Sequence, residues 1–508
     1  MEKNNQKIVK RALSKSRLAA WILMGCCFFP IGIMLFIQSL GWPNNFDDFY
    51  RGFNGISTEH DVLHYGWIKS QEMLKHLAHD PLLTWSNQFD YRWPTISGLI
   101  ETIFLISFMS IVTNTALRGG NKHAAFSIIL LFNLFVGVQA YTFLPPAAFP
   151  LAFTASFLVT TLSNLRFNGL SKEELQTNTS ASPSLKKLSG LALVILEQLA
   201  FLFYACNFVQ SVTFWIISNI QRAFYLNKNG TLKRAISSPS LWSGCRLIPF
   251  VIINVIWRIN NGADGAETLS RSLNIVGAVK AGIKWNLAGT NLGGYVGMLP
   301  EASAPWSQPL WIITLSALVG ALTFSLGRWI IGKEVLHKTT TIASEAITLN
   351  LLLLGVSILI GWTTPALSER YYHELSHAIT QTYVASRFAS LGLLLAISIP
   401  IGALISRSHA KSWQIALLVI VVSSTSIAQN ITSLSNEFDR SSLKRSDVCD
   451  GKGNWNEGLL LPKEIIAPGV DTSHWLTTYK GPSSDITIET KRQAAIEIFE
   501  RNSSRFCW

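Results

Sequence analysis

The feature that most constrains this chain is a series of apolar stretches, each about twenty residues long and almost free of charge. Residues 18–40, 95–115 and 343–365 are the clearest examples. An apolar helix of about twenty residues crosses the roughly 30 Å hydrocarbon core of a bilayer. Because lipid offers the backbone no hydrogen-bond partners, a spanning segment of this length is helical. The sequence therefore predicts an all-α polytopic membrane protein.

About eleven transmembrane helices can be placed along the chain by this criterion. The predicted spans are residues 18–40, 95–115, 124–143, 150–165, 188–205, 208–221, 240–257, 309–330, 343–365, 387–405 and 413–430. The first is interpreted as a retained helix, because Leu40-Gly41-Trp42 makes a poor signal-peptide cleavage site. Polar residues interrupt region 188–221, which is predicted to be a tight hairpin or a re-entrant segment.

The distribution of basic residues predicts the orientation of the chain. The formal net charge is +12, and the basic residues crowd the N-terminus and every second short connector. This alternation is typical of loops that remain in the cytoplasm, and it argues against nucleic-acid binding. We therefore predict a cytoplasmic basic segment at 1–17, a transmembrane domain at 18–430 and periplasmic loops at 41–94, 258–308 and 366–386.

The C-terminal tail, residues 431–508, is predicted to be a small periplasmic domain. It contains two of the six cysteines, Cys449 and Cys507, and the other four lie in apolar spans. Disulfides form in the oxidising periplasm, so the pattern favours a Cys449–Cys507 bridge. Such a bridge would contribute about 3–4 kcal/mol by closing a long loop. The alternative is a pair of unpaired thiols.

The first predicted periplasmic loop contains the densest polar cluster. Adjacent carboxylates, Asp47 and Asp48, follow the first span, with Arg51 close by and Glu59 and Asp61 a few residues further on. A carboxylate at a membrane surface is suited to removing a proton from a sugar hydroxyl. The alternative interpretation is a solvated acidic turn.

The motif Asp47-Asp48-x-x-Arg51-x-x-Asn54-Gly55, placed directly after the first span, resembles the opening of the serotype-converting O-antigen glucosyltransferases. These are phage- and genome-encoded proteins of enteric bacteria, a branch of the GT-C membrane glycosyltransferases. The chain length, the cytoplasmic basic N-terminus, the large first periplasmic loop and the periplasmic tail are also similar to that family.

The resemblance implies a GT-C-like fold in the bacterial inner membrane and transfer of glucose from undecaprenyl-phosphate-glucose to O-antigen repeat units of lipopolysaccharide. Asp47 or Asp48 would be the general base, and a glucosyl-lipid synthase and a flippase would act upstream. No cofactor or metal is implied. The expected substrate-binding residues are Arg51, Glu59, Asp61, Arg258, Lys284, Arg370, His373 and Glu374, with Lys280 and Arg387 as further cations for the donor phosphate.

A second motif, His373-Glu374-Leu375-Ser376-His377, is a literal H-E-x-x-H. On a helix its two imidazoles share one face and are able to bind zinc, which makes an intramembrane zinc metalloprotease an alternative function. The later spans contain no third ligand motif of the kind that membrane metalloproteases carry. We therefore assign no metal and expect His373 and Glu374 to line a sugar or phosphate site.

The carboxylates of Glu101 and Glu197 lie inside predicted spans. An ionisable residue at membrane depth is a functional-site hypothesis by default, and a buried, hydrogen-bonded group is the alternative. Charged residues within helices are also typical of an O-antigen polymerase or transporter, which is the remaining alternative function.

Overall fold

The structure is a computed structural model that describes residues 25, 27–34, 93–137, 148–168, 184–228, 242–261, 279, 282–283, 286–287, 289–291, 309–332, 341–364, 384–408 and 411–449. Within these residues the chain is almost entirely helical. The described residues form no strand beyond an isolated bridge between Val136 and Thr290. The prediction of an all-α chain is confirmed for this part of the sequence.

The helices follow the apolar stretches of the sequence. Residues 27–34, inside the first predicted span, are helical. The labelled helices are α1 (Trp93–Arg118), α2 (Lys122–Phe135), α3 (Ala148–Phe167), α4 (Ser184–Phe203), α5 (Ala205–Lys228), α6 (Ile248–Asn261), α7 (Leu310–Gly332), α8 (Thr341–Thr363), α9 (Val384–Arg407) and α10 (Ser412–Cys449). A 3₁₀ turn, Ser243–Leu247, leads into α6.

Four of the described helices are long and apolar enough to cross a membrane. Their apolar parts are Leu310–Trp329, Glu345–Thr363, Arg387–Arg407 and Ser412–Thr432. Large aliphatic side chains such as Leu318 on α7 and Leu418 on α10 are exposed on the outside of the bundle. Extensive exposed apolar surface of this kind is unfavourable in water, so these helices are compatible with a membrane protein.

Helices α8 and α9 pack antiparallel with their backbones nearly in contact. A Cβ on Gly355 would lie 2.6 Å from the backbone nitrogen of Ala396, and a Cβ on Gly392 would lie 2.6 Å from that of Leu359. Small residues at such crossings let helices approach closely where lipid provides no hydrophobic driving force between them. The close packing brings the end of α8 and the start of α9 to the same end of the bundle.

Region 188–221 forms two helices that fold back on each other, as the hairpin alternative predicts. Only Tyr204 separates α4 from α5. The amide of Asn207 donates to the carbonyl of Ala200 at 3.0 Å, and the Ser211 hydroxyl donates to Glu197 at 3.2 Å. In a continuous helix, Ser211 and Glu197 would be about 21 Å apart. The chain therefore reverses at Tyr204.

Several helix ends differ from the predicted spans, for example those of α2 and α10. Helix α2 ends at Phe135 rather than 143, because Val136 is extended and the Gly137 N–H donates to Gly289. The adjacent Asn291, within the predicted periplasmic loop 258–308, is fully buried and donates to Leu134 at 2.8 Å. At the other end of the chain, α10 continues from 430 to Cys449.

Candidate functional site

Most of the predicted site residues lie outside the described residues. These are Asp47, Asp48, Arg51, Glu59, Asp61, Lys280, Lys284, Arg370, His373, Glu374 and Cys507. Arg258 lies in α6 and Cys449 ends α10, but only their backbones are described. The described residues include no group of three metal-ligating side chains. The predictions for these positions, including the disulfide, stay predictions.

Among the predicted phosphate-binding cations, Arg387 is the one whose side chain the structure describes. This side chain is buried, with 2% of its surface exposed. It lies in the first turn of α9 and faces a small cavity between α1, α3 and α9. The other lining residues are Phe104, Leu105, Phe108, Thr154, Phe157, Leu158, Phe388 and Leu391. Most of the cavity lining beside this guanidinium is aromatic or aliphatic, and a cation next to such a lining attracts an anion strongly, because the surroundings screen charge poorly.

Aromatic rings form one wall of this cavity and continue behind it. Phe157 and Phe388 lie 4.6 Å apart, centroid to centroid, and Trp362 packs on Phe388 at 4.3 Å. Tyr204, at the turn of the α4–α5 hairpin, stacks on Trp362 at 5.3 Å. The cavity wall therefore depends on α3, α8, α9 and the hairpin together.

Gln210 of α5 fixes the orientation of Trp362. The indole Nε1–H of Trp362 donates to the Gln210 side-chain carbonyl at 2.9 Å, and both residues are fully buried. Gly361 permits this contact, because a Cβ there would lie 2.7 Å from the Gln210 backbone nitrogen. The hydrogen bond connects the hairpin to the wall of the cavity.

Replacing Gln210 with leucine is expected to destabilise the protein by about 1–3 kcal/mol, because the Trp362 N–H is then buried without an acceptor. In the double variant Gln210→Leu/Trp362→Phe the N–H group is absent, so the destabilisation caused by a buried donor without an acceptor should largely disappear. Thermal unfolding of the two single variants and the double variant in detergent measures the coupling. Additive effects would show that the hydrogen bond contributes nothing.

A second polar centre joins α3, α4 and the 3₁₀ turn. The Arg246 Nε–H donates to Glu197 at 2.8 Å, and the Glu197 side chain is fully buried. Arg246 also donates through Nη2 to the Asn164 carbonyl oxygen at 3.1 Å and through Nη1 to that of Asn168 at 3.4 Å. A buried ion pair tolerates its low-polarity surroundings only with such additional hydrogen bonds.

The sequence left open whether Glu197 is a buried, hydrogen-bonded group, and the structure shows that it is. Glu197 is a buried carboxylate with a charged partner and a hydroxyl donor, Ser211. Its partner Arg246 was missed, although an arginine inside the apolar span 240–257 is itself an indication of a buried polar site. Asn164 and Asn168 were also missed. Glu101 lies in α1, where the structure describes only its backbone.

The described residues form a helical bundle in which four apolar helices are long enough to cross a membrane. The bundle contains a buried ion pair and a small cavity that Arg387 helps to line. Comparisons with protein-family models, with curated proteins and with solved structures found no match.

Proposed function

We propose that the protein is a GT-C-like glycosyltransferase of the bacterial inner membrane with about eleven transmembrane helices. It transfers a glucosyl residue from undecaprenyl-phosphate-glucose to O-antigen repeat units at the periplasmic face. The observation that carries this proposal is the motif Asp47-Asp48-x-x-Arg51-x-x-Asn54-Gly55 directly after the first apolar span. The N-terminus is cytoplasmic in this proposal and the tail is periplasmic.

In the proposed reaction, Asp47 or Asp48 accepts the proton of an acceptor-sugar hydroxyl. The hydroxyl oxygen then forms a bond to the anomeric carbon of the glucosyl group, while the bond from that carbon to the phosphate oxygen breaks. Undecaprenyl phosphate leaves with the electron pair of the broken bond. Arg51 orients the carboxylate or contacts the acceptor. The reaction requires no nucleotide or redox cofactor.

The described bundle supports this proposal through Arg387. A lipid-linked donor requires a cation close to its phosphate, and Arg is well suited to this contact because its planar guanidinium forms paired hydrogen bonds with phosphate oxygens. Arg387 is buried three residues after the start of α9, next to the predicted periplasmic loop 366–386. On the proposed topology this is the membrane side on which the transfer takes place.

Replacing Asp47 or Asp48 with asparagine tests the chemical step. Loss of the general base is expected to lower glucosyl transfer by about 10²–10⁴-fold in the variant that lacks it. The measurement is incorporation of glucose into O-antigen by membranes supplied with undecaprenyl-phosphate-glucose. Asp80→Asn, in the same predicted loop, is the matched control and should retain normal transfer. Wild-type rates in both Asp47→Asn and Asp48→Asn would refute the mechanism.

An O-antigen polymerase or transporter is the second candidate, and the Glu197–Arg246 pair favours it. Charged residues inside the helices of membrane proteins frequently mark substrate pathways, and this pair is buried between helices. The two candidates differ in their effect on lipopolysaccharide. Deleting the gene of a polymerase collapses the ladder of O-chain lengths, whereas deleting that of a glucosyltransferase leaves the ladder intact.

A further inference from the structure

The Arg387 cavity contains a second polar group, the hydroxyl of Thr154 on α3. Thr154 is 5% exposed, and its Oγ1 atom has no hydrogen-bond partner among the described residues. On the same helix the buried Ser156 hydroxyl donates to the Phe153 carbonyl at 2.9 Å, whereas the hydroxyls of Thr160 and Ser163 also lack a partner among the described residues but do not line the cavity. A buried hydroxyl of this kind that lines a cavity is able to donate to a ligand atom in that cavity.

We propose that Thr154 and Arg387 together bind one phosphate oxygen of a lipid-linked ligand, with Thr154 as a new binding residue. The inference rests on the proposed function in so far as this lipid is the glucosyl donor. Arg387 supplies positive charge and fixed donors, and Thr154 supplies a rotatable O–H donor. Both therefore suit an acceptor that carries negative charge.

The size and walls of the cavity identify the kind of ligand. The space between the lining side chains is sufficient for about one water-sized atom, so it admits a single oxygen rather than a whole phosphate group. The phosphorus and the other oxygens would remain at the open side. The rest of the lining is aromatic or aliphatic, which favours a ligand whose phosphate is attached to an apolar chain.

The position of the cavity supports a lipid rather than a free anion. Arg387 begins the apolar segment Arg387–Arg407, which is long enough to cross a membrane. The side chain of Ile103 in α1, next to Phe104 of the cavity lining, is 53% exposed on the surface of the bundle. An apolar chain attached to the bound phosphate therefore has apolar helix surface close to the cavity.

The test compares binding to the full-length protein in detergent micelles by native mass spectrometry. The probes are dioleoylphosphatidic acid, dioleoylglycerol and inorganic phosphate. We expect phosphatidic acid to bind, and the other two to bind at least about tenfold more weakly, because each lacks either the phosphate or the apolar chain. Inorganic phosphate binding as tightly as phosphatidic acid would overturn the assignment to a lipid.

Two substitutions test the named residues. Thr154→Val removes the hydroxyl at nearly constant volume and should weaken phosphatidic acid binding about three- to tenfold. Arg387→Gln should weaken it by at least about tenfold. Thr160→Val is the matched control, because Thr160 is also a buried α3 threonine whose hydroxyl lacks a partner in the described part of the chain, and it does not line the cavity.

Thr154→Val keeps the test decisive even if Arg387→Gln fails to fold. Wild-type affinity in Thr154→Val, or an equal loss in Thr160→Val, overturns the site. Failure of the binding site and failure of the proposed function give different experimental results. A protein that binds phosphatidic acid through Thr154 and transfers no glucose retains the site and loses the function. A protein that transfers glucose with an unchanged donor KM in Thr154→Val retains the function and loses the site.

Discussion

Replacing Arg246 with glutamine is expected to destabilise the folded protein by about 3–5 kcal/mol. The substitution leaves the fully buried carboxylate of Glu197 without its charged partner 2.8 Å away. It also removes the donors to Asn164 and Asn168, which hold the 3₁₀ turn against α3. Glu197→Gln should also destabilise the folded protein, because the buried guanidinium of Arg246 then lacks a counter-charge.

The double variant Glu197→Gln/Arg246→Gln separates charge from packing. It buries two neutral amides in place of two charges, so we expect it to be more stable than either single variant. Thermal unfolding in detergent provides the comparison. Arg328→Gln is the control: Arg328 is exposed and donates to the Ser412 hydroxyl, so its loss should change stability by less than about 1 kcal/mol. A double variant less stable than both single variants would contradict the account of the ion pair.

Replacing Gly392 with valine is expected to destabilise the bundle by about 3 kcal/mol or more. Its Cβ would lie 2.6 Å from the Leu359 backbone nitrogen and 2.8 Å from the Gly355 carbonyl oxygen. Both atoms belong to the backbone of α8, so rotation of a side chain cannot relieve the overlap. The helices must separate, which also separates Trp362 from Phe388 at the Arg387 cavity. We therefore expect lipid-phosphate binding to weaken together with stability.

Gly190→Ala provides the matched control for this prediction. Gly190 is also helical, but a Cβ there would meet nothing within 4 Å. Alanine is the better helix former, so this variant should be unchanged or stabilised by up to about 1 kcal/mol. The measurement is thermal unfolding of both variants in the same detergent. Equal stability of Gly392→Val and the wild type would show that α8 and α9 do not pack through Gly392.

The apolar pattern of the sequence predicted the helices well, because that pattern is local. The stretch 343–365 corresponds to α8, Thr341–Thr363, and 309–330 corresponds to α7, Leu310–Gly332. The end of α2 was not predictable from local pattern. It depends on hydrogen bonds from Gly137 to Gly289 and from Asn291 to Leu134, between residues more than 150 positions apart.

The candidate site was only partly predictable for the same reason. Glu197 and Arg387 were identifiable because a charge near or within an apolar stretch is conspicuous in the sequence. Arg246 also lies within an apolar stretch, but its partner Glu197 is 49 residues away, so the sequence does not show that the two residues form an ion pair. Thr154 gives no sequence signal at all. A helical threonine commonly bonds to its own helix backbone, and only the packed bundle shows that this hydroxyl lines the cavity without a partner among the described residues.

The central proposal is glucosylation of O-antigen, and the composition of the O-chain tests it most directly. The measurement is the structure of purified lipopolysaccharide, by nuclear magnetic resonance, from cells with and without this gene in a strain that makes undecaprenyl-phosphate-glucose. We predict an added glucosyl branch on the repeat unit only when the gene is present, with an unchanged distribution of chain lengths. Identical repeat units in the two strains, or a collapsed ladder without the gene, would contradict the proposal.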